Sequence, residues 1–127
     1  MSATINDLMT PSPHTINATQ NLKFAQNKMR ELNVRHLPVL DAGKLVGILS
    51  DRDIQFIESF DKLDLEEINV DEAFTNEPFI VESQTNLNEV CQAMAERKIG
   101  SAMITQDGKL TGIFTWIDAL KYLAKKH

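Results

Sequence analysis

The spacing of apolar positions changes several times along the first half of the chain, and each change marks a different element. A short stretch at 14–17 follows a proline and predicts a strand. Two apolar runs, 37–40 and 45–49, flank a glycine-containing turn at 41–44 and predict a hairpin. A last helix is predicted from near Asp51. Between the first strand and the hairpin, the helical period is carried by Leu22, Ala25, Met29 and Leu32.

The second half of the chain repeats this pattern at an offset of 65 residues. In that register, 12 of the 48 positions between 7 and 54 are identical to their counterparts, whereas average residue usage gives roughly 3 by chance. The chain is therefore two copies of one β-α-β-β-α unit. The predicted elements of the second copy are a strand at 79–82, a helix with Leu87, Val90, Cys91 and Met94 on its apolar face, hairpin strands at 102–105 and 110–114, and a helix from near Trp116.

Domain boundaries follow from the repeat. Repeat 1 is predicted at 1–60, an acidic and solvated linker at 61–71, and repeat 2 at 72–127. A unit of about 50 residues buries too little surface to be stable alone, so the two copies are expected to pack together. The predicted class is α+β, with the two small sheets packed face to face around a pseudo-two-fold axis and two equivalent clefts between the repeats.

Hydroxyl and acidic residues mark the predicted helix starts. Thr19 and Ser83 are predicted to cap the first helix of each copy, because their side-chain oxygens can accept a backbone N–H of the first turn. The last helix of each copy follows a Gly-x-x-[Ser/Thr]-x-x-Asp sequence, which ends in Asp53 in the first copy and Asp118 in the second. The glycines, Gly47 and Gly112, are expected to let a strand approach a ligand closely, and a helix N-terminus suits a phosphate.

Composition and charge narrow the classes of function. The chain of 127 residues has a formal net charge of −5, which disfavours nucleic acid as a partner. It has no apolar stretch of the length that a membrane span or a signal peptide needs, so we expect a cytoplasmic protein without a membrane partner. The single Cys91 excludes an internal disulfide, and no cysteine or histidine spacing indicates a metal site. No glycine-rich phosphate loop or matched nucleophile and base is present, so we expect neither an enzyme nor a catalytic cofactor.

The hairpin motif and its repeat resemble the tandem cystathionine-β-synthase (CBS) domain pair, also called the Bateman module. The resemblance lies in Leu37–Asp53, read as LPVLDxGKLVGILSxxD, and in its copy at Ser101–Asp118. It implies binding of an adenosine-containing ligand such as AMP, ADP, ATP or S-adenosylmethionine in the clefts. It also implies a homodimer formed through helices and the regulation of a partner protein in trans.

The resemblance implies that the cleft carrying Asp53 is the stronger binding site. The Asp53 carboxylate would accept the ribose hydroxyls, Ser50 would contact ribose or phosphate, and Arg35, His36 and Arg52 would surround the phosphates. The predicted adenine contacts, through main-chain groups and apolar side chains, are Ile80, Ser83 and Ile99.

The cleft carrying Asp118 is predicted to be weaker. Its motif residues are Thr115 and Asp118, but Gly100 and Ser101 stand where the first copy has Arg35 and His36, and Ile117 stands in place of Arg52. This cleft would suit a less charged ligand or stay empty. Its predicted adenine contacts are Ile16, Ala18 and Val34.

Alternatives remain open at this level. Ser50, Asp53, Thr115 and Asp118 are also what helix capping alone requires. Trp116 is expected to fill the core or an interface, with stacking on a base as the second interpretation. For the whole chain, the alternative to a ligand sensor is a dimerisation or protein-interaction scaffold whose clefts have degenerated.

Overall fold

The computed structural model describes residues 3–11, 13–76 and 79–126. The chain divides into two compact units: a central unit, His14–Pro78, and a terminal unit, which joins Met1–Pro13 to Phe79–His127. The helices are α1 (Ile5–Leu8), α2 (Leu22–Leu32), α3 (Asp51–Glu58), α4 (Leu87–Arg97) and α5 (Trp116–Lys126), and a short 3-10 helix spans Val70–Glu72. The strands are β1 (Thr10–Pro11), β2 (Ile16–Asn17), β3 (His36–Asp41), β4 (Lys44–Ser50), β5 (Thr75–Asn76), β6 (Ile80–Glu82), β7 (Ser101–Gln106) and β8 (Lys109–Thr115).

Each unit has one four-stranded mixed sheet. The central sheet has the order β2-β3-β4-β5 and the terminal sheet the order β1-β8-β7-β6. The first pair of each repeat, β2 with β3 and β6 with β7, is parallel because a helix connects its strands. The hairpins β3-β4 and β7-β8 are antiparallel. The predicted β-α-β-β-α order and the α+β class are confirmed.

The fourth strand of each sheet comes from the segment that precedes a repeat. Strand β1 pairs with β8 at the end of the second repeat, and β5 pairs with β4 at the end of the first. The compact units therefore differ from the division of the chain at 1–60, 61–71 and 72–127. Residues before His14 join the second repeat, and the segment after α3 joins the first.

The hairpin turns have the conformation that their glycines predicted. Ala42 and Gly43 have φ of 51° and 82°, and Asp107 and Gly108 have φ of 54° and 79°. Two consecutive left-handed residues make the two-residue turn whose twist matches that of the flanking strands. Each hairpin strand extends one residue further at each end than the apolar run that predicted it.

The predicted caps of the first helices are wrong. Asn21 and Asn86 directly precede the first leucine of α2 and α4, and their side chains accept the backbone N–H of Phe24 and Asn88, both at 2.8 Å. Thr19 lies two residues before Asn21, where its hydroxyl donates to Asn17 Oδ1, also at 2.8 Å. An asparagine next to the first helical residue is closer to the free N–H groups than a hydroxyl residue further upstream.

Each unit has its own core. The buried core residues are Ile16, Ala18, Leu22, Ala25, Met29, Leu37, Val39, Leu49, Ile54, Leu65 and Val70 in the central unit, and Ile5, Leu87, Val90, Met94, Ala102, Ile104 and Phe114 in the terminal unit. The segment 61–71 is not simply solvated, because Leu65 and Val70 are buried in the central core while its acidic residues stay exposed. Trp116 is not a core residue, since 54% of its surface is exposed.

Candidate functional site

Ser50 and Asp53 form a reciprocal cap at the start of α3. The backbone N–H of Asp53 donates to Ser50 Oγ at 3.1 Å, and the backbone N–H of Ser50 donates to Asp53 Oδ2 at 3.3 Å. Ser50 is the last residue of β4, so the strand leads directly into the helix and holds both side chains at the helix N-terminus. The capping role that the sequence left open is therefore present, and it uses Oδ2 of the Asp53 carboxylate.

The corresponding carboxylate of the terminal unit, Asp118, is held on both of its oxygens. Its Oδ2 accepts the backbone N–H of Thr115 at 2.9 Å and the Thr115 hydroxyl at 3.3 Å. Its Oδ1 accepts the hydroxyl of Thr10, from β1, at 3.3 Å. A ribose that bound to this carboxylate would have to compete with Thr10.

Sequence reasoning did not identify Thr10. The available signal was its identity with Thr75 in the repeat, which fell in a segment with no predicted element. The side chain that lies against Gly112 was also missed: a Cβ built on this glycine would be 2.1 Å from Met9 Sδ. The expectation that Gly112 makes room for a ligand is therefore wrong in this structure, because the N-terminal segment occupies that space.

The three basic residues predicted around the phosphates lie in different environments. His36 is half-buried at the start of β3, and burial lowers its pKa below 6.5; the charge of nearby Arg35 lowers it further, while Asp53 and Asp51 oppose the shift. Arg52 is exposed on α3. Arg35 lines a groove between α2 and α3, and Asp53 does not. Among the causes acting on the pKa of His36, the charge of Asp53 is the largest that opposes burial, so these two predicted site residues interact electrostatically.

Several main-chain groups that were predicted to contact adenine already form hydrogen bonds within their own unit. The backbone N–H groups of Ala18, Val34, Ser83 and Ile99 donate to Leu40, Met29, Thr105 and Met94, respectively, at 2.8–3.0 Å. The carbonyls of Ala18 and Ser83 also accept backbone N–H groups, from Asp71 and Asn6, respectively. A base would therefore have to share these carbonyls, use those of Val34 and Ile99, or contact the exposed apolar side chains. Only Ile80 and Ile99 of the predicted adenine contacts are exposed; Ile16, Ala18 and Ser83 are buried and Val34 is half-buried.

Other features of the described residues limit the chemistry. None of the described helices is both long and apolar enough to cross a membrane. Over the same residues, no group of three or more histidine, cysteine, aspartate or glutamate side chains is arranged to hold a metal ion. Burial raises the pKa of the half-buried Cys91 thiol, which disfavours the reactive thiolate.

Comparisons with known proteins agree with the repeat. The sequence model of the CBS domain matches residues 5–57 and 70–125. YlbB of Bacillus subtilis is 34% identical over 114 residues, which is 87% of this chain and 76% of that protein. AcuB of Vibrio cholerae has a crystal structure with a TM-score of 0.85 and 31% identity, covering 99% of this chain and 93% of that one. CBSX2, crystallised in complex with AMP, has a TM-score of 0.84 and 26% identity, covering 96% of this chain and 97% of that one.

Proposed function

This chain belongs to the CBS domain family, and from that premise we propose that it is a non-catalytic regulatory module that binds an adenosine-containing ligand. The observation that carries the proposal is the AMP complex of CBSX2, a protein of 26% identity that matches nearly the whole chain. AMP is therefore the first ligand to test, with ADP, ATP and S-adenosylmethionine as competitors. Binding would regulate a partner protein in trans, in the cytoplasm.

The central unit supplies the favoured binding residues. Ser50 and Asp53 lie at the N-terminus of α3, where free N–H groups and the helix dipole favour a phosphate or a sugar hydroxyl. His36 and Arg52 add donors near the same helix start, and the terminal unit has Ser101 and Ile117 in their places. The Asp118 carboxylate also already accepts a hydrogen bond from the Thr10 hydroxyl. We therefore expect one preferred ligand per chain, at Asp53.

A matched pair of variants separates ligand binding from capping. Asp53→Ala and Asp118→Ala each remove a reciprocal cap, so both should lower the free energy of unfolding by about 1 kcal/mol. Only Asp53→Ala should weaken AMP binding, by tenfold or more in isothermal titration calorimetry. Equal affinities for wild type and Asp53→Ala would assign Asp53 to capping alone. Absence of heat and of a melting shift with all four ligands would favour the scaffold alternative, since a ligand of the native state must stabilise it.

Self-association is the second part of the proposal. The side chains of Trp116, Leu120 and Leu123 recur at the helical spacing along one face of α5 and are exposed by 54%, 51% and 49%. An apolar face of this kind on the surface is typical of an interface. We propose that it forms the centre of a homodimer, in which the same face of a second copy covers it.

A further inference from the structure

A groove of about 380 Å³ lies between α2 and α3, entirely within the central unit. Its floor includes Met29 and Gln26, both of which are almost fully buried. The volume falls within the range of small-molecule pockets. The lining residues are Gln26, Met29, Arg30, Asn33, Val34, Arg35, Asp51, Gln55 and Glu58.

The groove carries both signs of charge on different elements. Arg30 belongs to α2 and Arg35 to the loop that follows it, whereas Asp51 and Glu58 belong to α3. In the described part of the chain, neither guanidinium has a hydrogen-bond or ion-pair partner. The positive side of the groove therefore has donors that the fold itself does not use.

The acidic side is positioned by amides. Gln55 Nε2 donates to Asp51 Oδ2 at 2.7 Å, and Gln26 Nε2 donates to Glu58 Oε2 at 3.2 Å. Gln26 is only 3% exposed, and its Oε1 in turn accepts Lys23 Nζ at 3.3 Å. A buried amide with both ends bonded fixes the orientation of Glu58 at the edge of the groove.

The second repeat shows that the fold does not require these polar groups. At an offset of 65 residues, six of the nine lining positions change from polar or charged to small or apolar residues. The pairs are Gln26/Cys91, Arg30/Ala95, Arg35/Gly100, Asp51/Trp116, Gln55/Leu120 and Glu58/Leu123. The same helix pair therefore folds without the charges, and their concentration in one groove indicates a role other than folding.

We propose that this groove binds a small zwitterion of the class of free α-amino acids. The ligand carboxylate would lie against Arg30 and Arg35, whose planar guanidinium groups match a carboxylate with two parallel hydrogen bonds. The ligand ammonium would lie against Glu58, because Asp51 lies seven residues earlier on α3, about 10 Å away along the helix. A phosphate or nucleotide fits less well because both carboxylates would repel it, and a simple cation would meet the two arginines.

The first test is a thermal-shift screen of the twenty amino acids against the full chain, with inorganic phosphate as the anion-only probe. At about 10 mM, a ligand with a Kd near 1 mM would raise Tm by about 5 °C. We expect one or a few amino acids to give a saturable shift and phosphate to give none. No shift with any amino acid, or a shift with phosphate alone, would overturn the proposal.

Variants then place the ligand in the groove. Arg30→Ala introduces the residue of the second repeat at an exposed position, and Glu58→Gln removes the charge that faces the ammonium while keeping the shape. Each should weaken amino-acid binding by tenfold or more in calorimetry, and Lys109→Ala, at an exposed hairpin position, should leave it unchanged. Unchanged affinity in Arg30→Ala and Glu58→Gln would place the ligand elsewhere. AMP titrations of Arg30→Ala report on the nucleotide site separately, because Arg30 has no role in it.

Discussion

His36 lies at the start of β3, half-buried and close to both acidic and basic neighbours. Burial is the main cause of its lowered pKa, Arg35 lowers it further, and the carboxylates of Asp53 and Asp51 act in the opposite direction. The folded protein therefore favours the neutral imidazole. In the unfolded chain the same group titrates near 6.5, so unfolding takes up protons below that pH.

The pH dependence of stability follows from this difference. The contribution of His36 to the free energy of unfolding is complete above pH 6.5 and is lost as the pH falls through the lower pKa of the folded state. His36→Asn should therefore flatten the decline in stability on acidification, measured by urea unfolding between about pH 5 and 8. His14→Gln, at an exposed position, is the control and should retain the wild-type slope. Identical slopes for wild type and His36→Asn would show that the histidine does not titrate differently on unfolding.

The candidate site could be predicted from the sequence only as far as its contacts are local. The spacing of Ser50 and Asp53 is a capping pattern, and the structure has that cap. The bond from Thr10 to Asp118 joins residues 108 positions apart, and no periodicity connects them. The backbone N–H partners of Ala18 and Ser83 could not be predicted either, because they depend on the pairing of strands. Those of Val34 and Ile99 are local, since each lies five residues earlier at the end of a helix.

The two hairpin turns differ in one residue at the same left-handed position. Ala42 has φ of 51° and Asp107 has φ of 54°. A left-handed conformation costs alanine about 1 kcal/mol or more, whereas asparagine and aspartate tolerate it better. Ala42→Asn should therefore raise the free energy of unfolding by about 0.5–1 kcal/mol.

The other hairpin provides the reciprocal test. Asp107→Ala should lower the free energy of unfolding by a similar amount, because it places alanine in the same conformation. Both variants are measured by urea denaturation under one set of conditions. A stabilising effect of Asp107→Ala would contradict the assignment of the turn residues as the cause.

The N-terminal strand depends on a glycine of the strand that it pairs with. Pro11 lies opposite Gly112, and the Met9 side chain fills the space where a Cβ would be. Gly112→Ala should therefore destabilise the protein by about 1–3 kcal/mol through overpacking. Met9→Ala in the same chain should recover part of that loss. A double-mutant cycle that gives no coupling between the two substitutions would refute this contact.

Element types were more predictable than element partners. The hairpins and the four long helices follow from apolar spacing and turn glycines, because those signals are local. Strands β1 and β5 have two residues each, too few for an alternating pattern to be recognised. Through this pairing, the segment before the first repeat joins the terminal unit, and the segment between the repeats joins the central unit. The repeat in the sequence does not reveal this arrangement.

At the scale of the whole molecule, the two repeats present different surfaces on equivalent helices. The face of α3 formed by Asp51, Gln55 and Glu58 is polar, and the equivalent face of α5 is formed by Trp116, Leu120 and Leu123. Because both units have the same fold, folding alone does not explain why one face is polar and the other apolar. The difference indicates that the two faces contact different partners. We therefore propose that α5 mediates self-association and that the groove beside α3 is left to a ligand.

This assignment predicts that one substitution on α5 separates the copies. Leu120→Lys places a charge in the middle of the apolar face, and two such charges would meet across a two-fold interface. We expect the wild type to sediment as a dimer and Leu120→Lys as a folded monomer, with its helical circular dichroism retained because Leu120 is half-exposed in the isolated chain. Gln55→Lys, at the equivalent position of the first repeat, is the matched control and should stay dimeric. If the dimer persisted in Leu120→Lys but was lost in Gln55→Lys, the interface would lie at the polar groove beside α3. The groove would then be covered by the second copy and could not bind a free ligand.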